Sequence, residues 1–161
     1  MTALLVAVFA FQLNASMLAP ALHTMELELN ATTAQIGMTQ TAFFTAAAVF
    51  ALFMPRWGDL IGRRKVLVWM MVVTVIGSIV AALATNVTML FIGRVIQGVS
   101  GPTVALTSVM LRQAVREEKQ FAFLVGILTS VNGGIAGIDA ILGGWLTDAF
   151  GFRSLFWVIG A

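Results

Sequence analysis

The sequence predicts an all-α integral membrane protein with five full transmembrane helices and the start of a sixth. Of its 161 residues, 60% are hydrophobic and only 10% are charged, and the mean hydropathy is +0.98. A soluble domain carries about 25% charged residues and has too little interior to cover so much apolar surface. Apolar runs of about 20 residues recur along the chain, and in lipid only helices satisfy every backbone group over such continuous runs.

The predicted spans follow these apolar runs. They cover residues 3–22, 36–54, 66–84, 88–111 and 121–146, and a sixth run begins near residue 154 and continues to residue 161. Thr32 and Gln35 have the spacing of a capping box before the second span, and Asn86 is a typical N-cap before the fourth.

Composition excludes several classes of function. The chain has no cysteine and only one histidine, His23, so we expect no metal site and no cofactor. It has no Lys/Arg stripe that would follow a phosphate backbone, so nucleic acid is not an expected partner. Its few carboxylates are scattered rather than convergent, so we do not expect an enzyme.

The basic residues predict the orientation. Seven of the nine Lys and Arg lie in two of the predicted loops, and Arg94 and Arg153 are the others. The seven are Arg56, Arg63, Arg64, Lys65, Arg112, Arg116 and Lys119. By the positive-inside rule both loops face the cytoplasm, and the N-terminus of this multi-pass protein of the cell (inner or plasma) membrane is then cytoplasmic as well.

The segment after the second span, residues 55–65, has the sequence P-R-W-G-D-L-I-G-R-R-K. It resembles the signature that major facilitator superfamily transporters carry between helices two and three. Four residues match that signature at the right spacing, namely Asp59, Gly62, Arg63 and Arg64. Pro55 and Leu60 depart from it. The resemblance implies that Asp59 latches the two halves of a transporter in one state. The alternative is a solvated charged loop that only fixes the topology.

Residue spacing adds a physical expectation to this resemblance. Asp59 and Arg63 are one helical turn apart and can form an ion pair, and Gly62 allows the chain to turn tightly.

The fourth span contains Arg94, Gln97 and Gly98, followed by Gly101 and Pro102. These residues resemble the R-x-x-q-G motif of the same family, which implies a role for Arg94 and Gln97 in transport or proton coupling. An arginine within a span is costly and faces a bundle interior or a wet cavity, unless it only snorkels to the interface. The glycines permit close helix approach, and the proline is expected to bend the helix as a hinge.

The fifth span is similar to the glycine-rich helix five of the drug/proton antiporter branch. Gly143 and Gly144 match, whereas Asp139 and Ala140 stand in place of its Gly-Pro pair. Gly133 and Gly144 belong to a stripe of small residues that predicts close helix packing. The family pattern continues at residues 151–156, where G-F-R-S-L-F is similar to G-W-R-x-x-F at the start of helix six. In the first span Asn14 is a polar candidate for lining a cavity.

The depths of Arg94 and Asp139 suggest that they meet. Each lies roughly 9–12 Å from the outer end of its span at 1.5 Å per residue. An unpaired charge at that depth is costly. We therefore expect an Arg94–Asp139 pair, direct or through a water, with Asn132 on the same face as Asp139. Beside a movable arginine, Asp139 is expected to take up and release a proton as the cavity opens to either side, which makes it a candidate for proton coupling. In the alternative, Asp139 faces a missing second half.

The resemblance as a whole implies an incomplete N-terminal six-helix half of a transporter that moves a small molecule by alternating access. The expected partners are membrane lipid, the substrate and the C-terminal half, and the expected energy source is a proton gradient. Proton-coupled drug or multidrug efflux is the first expectation. Proton-linked uptake of a sugar, organic acid or other metabolite is the alternative, and a non-transporting membrane scaffold is a third.

Overall fold

The computed structural model describes residues 2–16, 18–115 and 117–160, and the side chains of residues 2–6, 131, 132, 135–137 and 140 lie outside that description. Over these ranges every element is a helix. The α-helices are α1 Thr2–Ser16, α2 Leu22–Leu29, α3 Thr33–Ile61, α4 Arg63–Ala82, α5 Val87–Gln97, α6 Thr103–Ala114, α7 Glu118–Phe150 and α8 Arg153–Gly160. Two short 3-10 helices lie at Ala19–Ala21 and Gly98–Ser100.

Three helical stretches in the described part of the chain are long and apolar enough to cross a membrane: Thr33–Ile61, Arg63–Ala82 and Val87–Ala114. Two helix starts have the predicted caps. The Thr32 side chain accepts from the Gln35 backbone N–H at 3.2 Å while the Gln35 side chain accepts from the Thr32 N–H at 2.9 Å. The Asn86 side chain accepts from the Met89 N–H at 2.8 Å.

The segment predicted as the first span is interrupted. Helix α1 ends at Ser16, and Pro20 then lies in the first turn of the 3-10 helix Ala19–Ala21 before α2 begins at Leu22. Proline has no backbone N–H to donate and is favoured only in the first turn of a helix, so it marks a fresh start. Hydropathy does not register such a break, because Leu18, Ala19 and Ala21 are all apolar.

The second helix is longer than the predicted span, since α3 continues past Pro55 to Ile61. Asp59 is therefore on the last turns of a helix, and not in a loop as the sequence predicted. Gly62 alone joins α3 to α4, with φ +101°. This positive φ strains any residue that carries a Cβ, which explains the glycine and confirms the predicted tight turn.

Helix α4 lies between α3, α5 and α8, while α1 packs against α7. The largest core joins the ends of α1, α4 and α5 to α2 and α8, with Met25, Phe152, Leu155 and Phe156 fully buried. Many large apolar side chains stay exposed on the outward faces, among them Leu52, Leu60, Trp69 and Ile141. An apolar surface of this kind suits contact with lipid or further transmembrane helices.

Candidate functional site

A buried polar cluster surrounds Arg94 on α5. The Arg94 side chain is completely buried, and its guanidinium donates to Gln97 Oε1 and to Gln40 Oε1, each at 2.8 Å. It also donates to the side-chain carbonyl of Asn14, and it lies 4.2 Å from the centroid of the Phe43 ring. We call these five residues the Arg94 cluster. Gln97 extends it, because its amide donates to the Ser78 hydroxyl at 2.8 Å.

The cluster forms where α1 stops. The last four carbonyls of a helix have no partner inside it, and burial away from water makes each of them costly. Arg94 Nη2 donates to the backbone carbonyl of Asn14 at 3.3 Å, and Gln40 Nε2 donates to that of Ala15 at 3.0 Å. The negative end of the α1 dipole also favours a cation there. Arg94 and Gln40 therefore cap the interrupted helix from α5 and α3.

The sequence predicted Asn14, Arg94 and Gln97 as candidates, and the structure brings all three together. Gln40 was missed. The available signal was a glutamine inside the apolar run of the second span, where a polar side chain needs a partner from another helix. Phe43, one turn after Gln40, was not singled out either.

The structure places Asp139 on α7, fully buried, against the end of α1. The Ser16 hydroxyl contacts its Oδ2, whereas Oδ1 has no hydrogen-bond partner among the residues that the structure describes. No ion pair joins Asp139 to Arg94, although both side chains are within the described residues, so the direct form of the predicted pair is wrong. Both residues instead contact α1: Asp139 contacts Ser16, and Arg94 donates to Asn14. The side chain of Asn132, predicted to share their water, lies outside the described residues.

The glycines between α5 and α6 permit close helix packing, as predicted. A Cβ at Gly98 would lie 2.5 Å from the Ala46 Cβ, and one at Gly101 would lie 2.7 Å from the Ala47 Cα. Between them the helix tightens into the 3-10 turn Gly98–Ser100, and α6 begins directly after Pro102. The break in α-helical hydrogen bonding thus falls where the sequence placed a hinge.

The small residues of α7 pack less closely than the sequence predicted. A Cβ at Gly133 would meet nothing within 4 Å, and one at Gly144 would meet only Pro20, at an ordinary 3.7 Å. Gly143 is buried, and its carbonyl accepts from the Thr147 hydroxyl at 2.6 Å. Within the described part of the chain the predicted close packing is therefore absent at Gly133.

The predicted pair near Gly62 is present. Arg63 Nη2 lies 2.6 Å from Asp59 Oδ1, so the first turn of α4 is tied back to the end of α3. Arg64 and Lys65 are exposed beside this pair. The arrangement concentrates positive charge around one paired carboxylate at this end of the helices.

A second ion pair, not predicted from the sequence, joins three segments at the other end. Arg153 at the start of α8 donates to Glu28 of α2 at 2.9 Å and to the backbone carbonyl of Ala84 at 3.1 Å. Its guanidinium carbon lies 4.9 Å from the centroid of the Phe152 ring. This explains the arginine of the G-F-R-S-L-F segment, because Arg153 connects α2, the segment that follows α4, and α8.

Comparison with known proteins gives consistent relatives. The chain is 59% identical over 160 residues to a uridine/deoxyuridine transporter of Lactococcus lactis subsp. cremoris, covering 99% of this chain and 33% of that protein. It is 33% identical over 157 residues to an uncharacterized MFS-type transporter of Mycobacterium tuberculosis, covering 98% of this chain and 23% of that protein. It is 31% identical over 124 residues to azole resistance protein 1 of Saccharomyces cerevisiae, covering 77% of this chain and 20% of that protein.

The chain thus spans a third or less of the length of these curated relatives. A sequence model of one family matches residues 4–161, almost the whole chain, and the all-helical fold with its apolar outer surface agrees with that match. The chain belongs to the Major Facilitator Superfamily, a family of multi-pass membrane transporters.

Proposed function

We propose that this chain is the N-terminal half, short of the end of its sixth helix, of a secondary active transporter that moves a small polar metabolite across the cell membrane by alternating access. In this proposal α1, α3, α4, α5 with α6, and α7 supply the five full spans, and α8 begins the sixth. The substrate site of such a transporter lies between two pseudo-symmetric halves. The remaining half is the expected partner.

The proposed substrate class is a pyrimidine nucleoside. The observation that carries it is the 59% identity, over 99% of this chain, to a protein named as a uridine/deoxyuridine transporter. This favours the uptake alternative over the drug efflux that the sequence motifs put first. Drug export remains the second candidate, supported by the 31% identity to azole resistance protein 1.

Burial separates two kinds of polar residue in this proposal. Arg94, Gln97 and Asn14 are fully buried by this chain alone, without a second half. We infer that they organise the interior of this half. Residues that contact a substrate between the halves are then among the polar side chains left exposed on it, such as Thr41 and Thr45 of α3.

The substrate proposal is tested with the full-length gene in a bacterial host that lacks nucleoside uptake. We expect accumulation of labelled uridine above the empty-vector control, competition by deoxyuridine, and loss of accumulation when a proton uncoupler is added. Drug resistance with no uridine accumulation would instead favour the efflux candidate.

We further propose that the end of the molecule bearing Arg63, Arg64 and Arg112 faces the cytoplasm, with the N-terminus, because Lys and Arg are concentrated there. Single cysteines at Arg64 or Gln113 of this cysteine-free part of the chain then resist an impermeant reagent in intact cells and react after lysis. Labelling of both in intact cells contradicts the topology.

The Asp59–Arg63 pair is proposed as the latch between the two halves. Asp59→Asn in the full-length protein is expected to reduce transport several-fold while expression and membrane insertion stay normal, because it removes one exposed charge and no packing. Glu117→Gln, which changes an exposed carboxylate outside this motif, is the matched control. Equal transport by both variants would leave Asp59 as an ordinary surface charge.

A further inference from the structure

An apolar groove runs between α3 and α4 at the end of the molecule where Gly62 joins these helices. It has a volume of about 350 Å³, which is within the range of small-molecule sites. Every residue that lines it is apolar, and the lining comes from α3, α4 and the 3-10 helix between α5 and α6, among them Trp57, Ile61, Trp69, Val73 and Val99. Because the lining offers no polar side chain, the groove suits a hydrocarbon chain.

Two tryptophans border this groove, and both are more than half exposed. The exposed fraction is 56% for Trp57 on α3 and 70% for Trp69 on α4. In membrane proteins tryptophan is enriched at the interface, where its ring lies at the level of the lipid headgroups. The two rings therefore indicate that the groove opens where headgroups meet acyl chains.

The basic residues beside the groove are not balanced by acidic ones. Arg63 is paired with Asp59, whereas the exposed Arg56, Arg64 and Lys65 form no ion pair with any residue that the structure describes. These free cations leave the rim of the groove positively charged.

Helix stability does not account for the cations at the start of α4. Arg63, Arg64 and Lys65 occupy its first turn, where the helix dipole disfavours positive charge. Lys65 also lies one turn before Trp69, on the same face of the helix. An anion beside this turn would offset the repulsion and would lie directly above the apolar groove.

A cationic rim beside an apolar groove is complementary to an anionic amphiphile. We propose that the groove binds an acyl chain of an anionic phospholipid whose phosphate lies against Arg64 and Lys65. In the proposed topology this end meets the cytoplasmic leaflet, which carries anionic lipid. An apolar transmembrane helix from the rest of the polypeptide would cover the same walls but would not neutralise the rim. The lipid site does not depend on which substrate the transporter moves.

Tryptophan fluorescence tests the site, because a lipid with a brominated acyl chain quenches an indole only at short range. The full-length protein is placed in phosphatidylcholine vesicles that contain an equal fraction of brominated phosphatidylglycerol or of brominated phosphatidylcholine. One variant keeps Trp69 as its only tryptophan, the others being replaced by phenylalanine. The matched control keeps only Trp145, which is 62% exposed near the other end. We expect the anionic lipid to quench Trp69 preferentially, and the two lipids to quench Trp145 equally.

Charge variants of the Trp69 protein test the rim. Arg64→Gln and Lys65→Gln should each lower the preference for the anionic lipid about fivefold, the contribution of one basic residue near an anionic surface. Arg112→Gln makes the same change at the same end, but Arg112 lies over the Phe121 ring of α7, so this variant should keep the preference. High salt should weaken the preference without any rim substitution, which gives the result even if those variants do not fold.

A second pair of variants tests whether the chain enters the groove. Val73→Phe fills part of it and should reduce quenching of Trp69 by the anionic lipid, whereas Val72→Phe, at an exposed residue outside the groove, should not. Unchanged quenching in Val73→Phe overturns the groove as the site. Equal quenching of Trp69 by the two lipids overturns the proposal, and so does the absence of quenching by either, which would show that the rest of the polypeptide covers the groove.

Discussion

Replacing Arg94 with alanine in the full-length protein is expected to lower the free energy of unfolding by more than about 3 kcal/mol, because at least two charge-assisted hydrogen bonds of about 1.5–3 kcal/mol each are lost together. The acceptors left behind, on Asn14, Gln40 and Gln97, are in a fully or partly buried cluster where water does not replace the donor. The variant also leaves a cavity, since Arg94 is the largest fully buried side chain described.

Denaturant unfolding in detergent, followed by circular dichroism, measures this effect. Arg94→Lys should recover only part of the loss, because one ammonium group does not span the separate acceptors that the guanidinium fork reaches. Arg56→Ala, at an exposed arginine of the basic end, is the control and should change stability little. If Arg94→Ala unfolded at the same denaturant concentration as Arg56→Ala, the cluster would not hold the fold.

Gly101→Ala is expected to destabilise the protein by about 1–3 kcal/mol, the usual cost of forcing extra volume into a packed contact. The new methyl would lie 2.5 Å from the Ala47 Cβ and 2.8 Å from the Ala47 carbonyl oxygen, so the backbones of α3 and the α5–α6 segment must separate. Because Gly101 has an ordinary helical φ of −49°, the effect is steric and not conformational.

Gly37→Ala is the matched control for Gly101→Ala, because it adds the same methyl group at a glycine of α3 where there is space for it. Gly37 is exposed on α3, and a Cβ there meets nothing within 4 Å. Alanine in a helix is favoured over glycine by about 0.5–1 kcal/mol, so this variant should be neutral or slightly more stable. Thermal unfolding of both variants compares them directly, and equal melting temperatures would contradict the close contact at Gly101.

The sequence was informative about elements and depth. Thr32 and Asn86 are local caps, so their hydrogen bonds follow from spacing alone, and the Asp59–Arg63 pair follows from one helical turn. Arg94 was predicted to face the bundle interior or a wet cavity because a charged side chain that faces lipid within a span costs free energy.

The partners of the buried charges were not predictable in the same way. Arg94 and Asp139 were placed at similar depths, but depth does not fix how a helix is rotated about its axis. The structure turns both residues towards α1, where Asn14 and Ser16 separate them. The interruption after Ser16 was missed because an apolar run looks the same with or without a break, and Pro20 was the one local sign.

The end of α1 has a consequence for how the chain is made. The side chain that donates a hydrogen bond to the Ala15 carbonyl belongs to Gln40, 25 residues later. The side chain that donates to the Asn14 carbonyl belongs to Arg94, 80 residues later. During synthesis α1 is therefore made before the Gln40 and Arg94 side chains that donate to its last carbonyls. The C-terminal end of α1 is therefore specified by residues that lie two and four α-helices further along the chain.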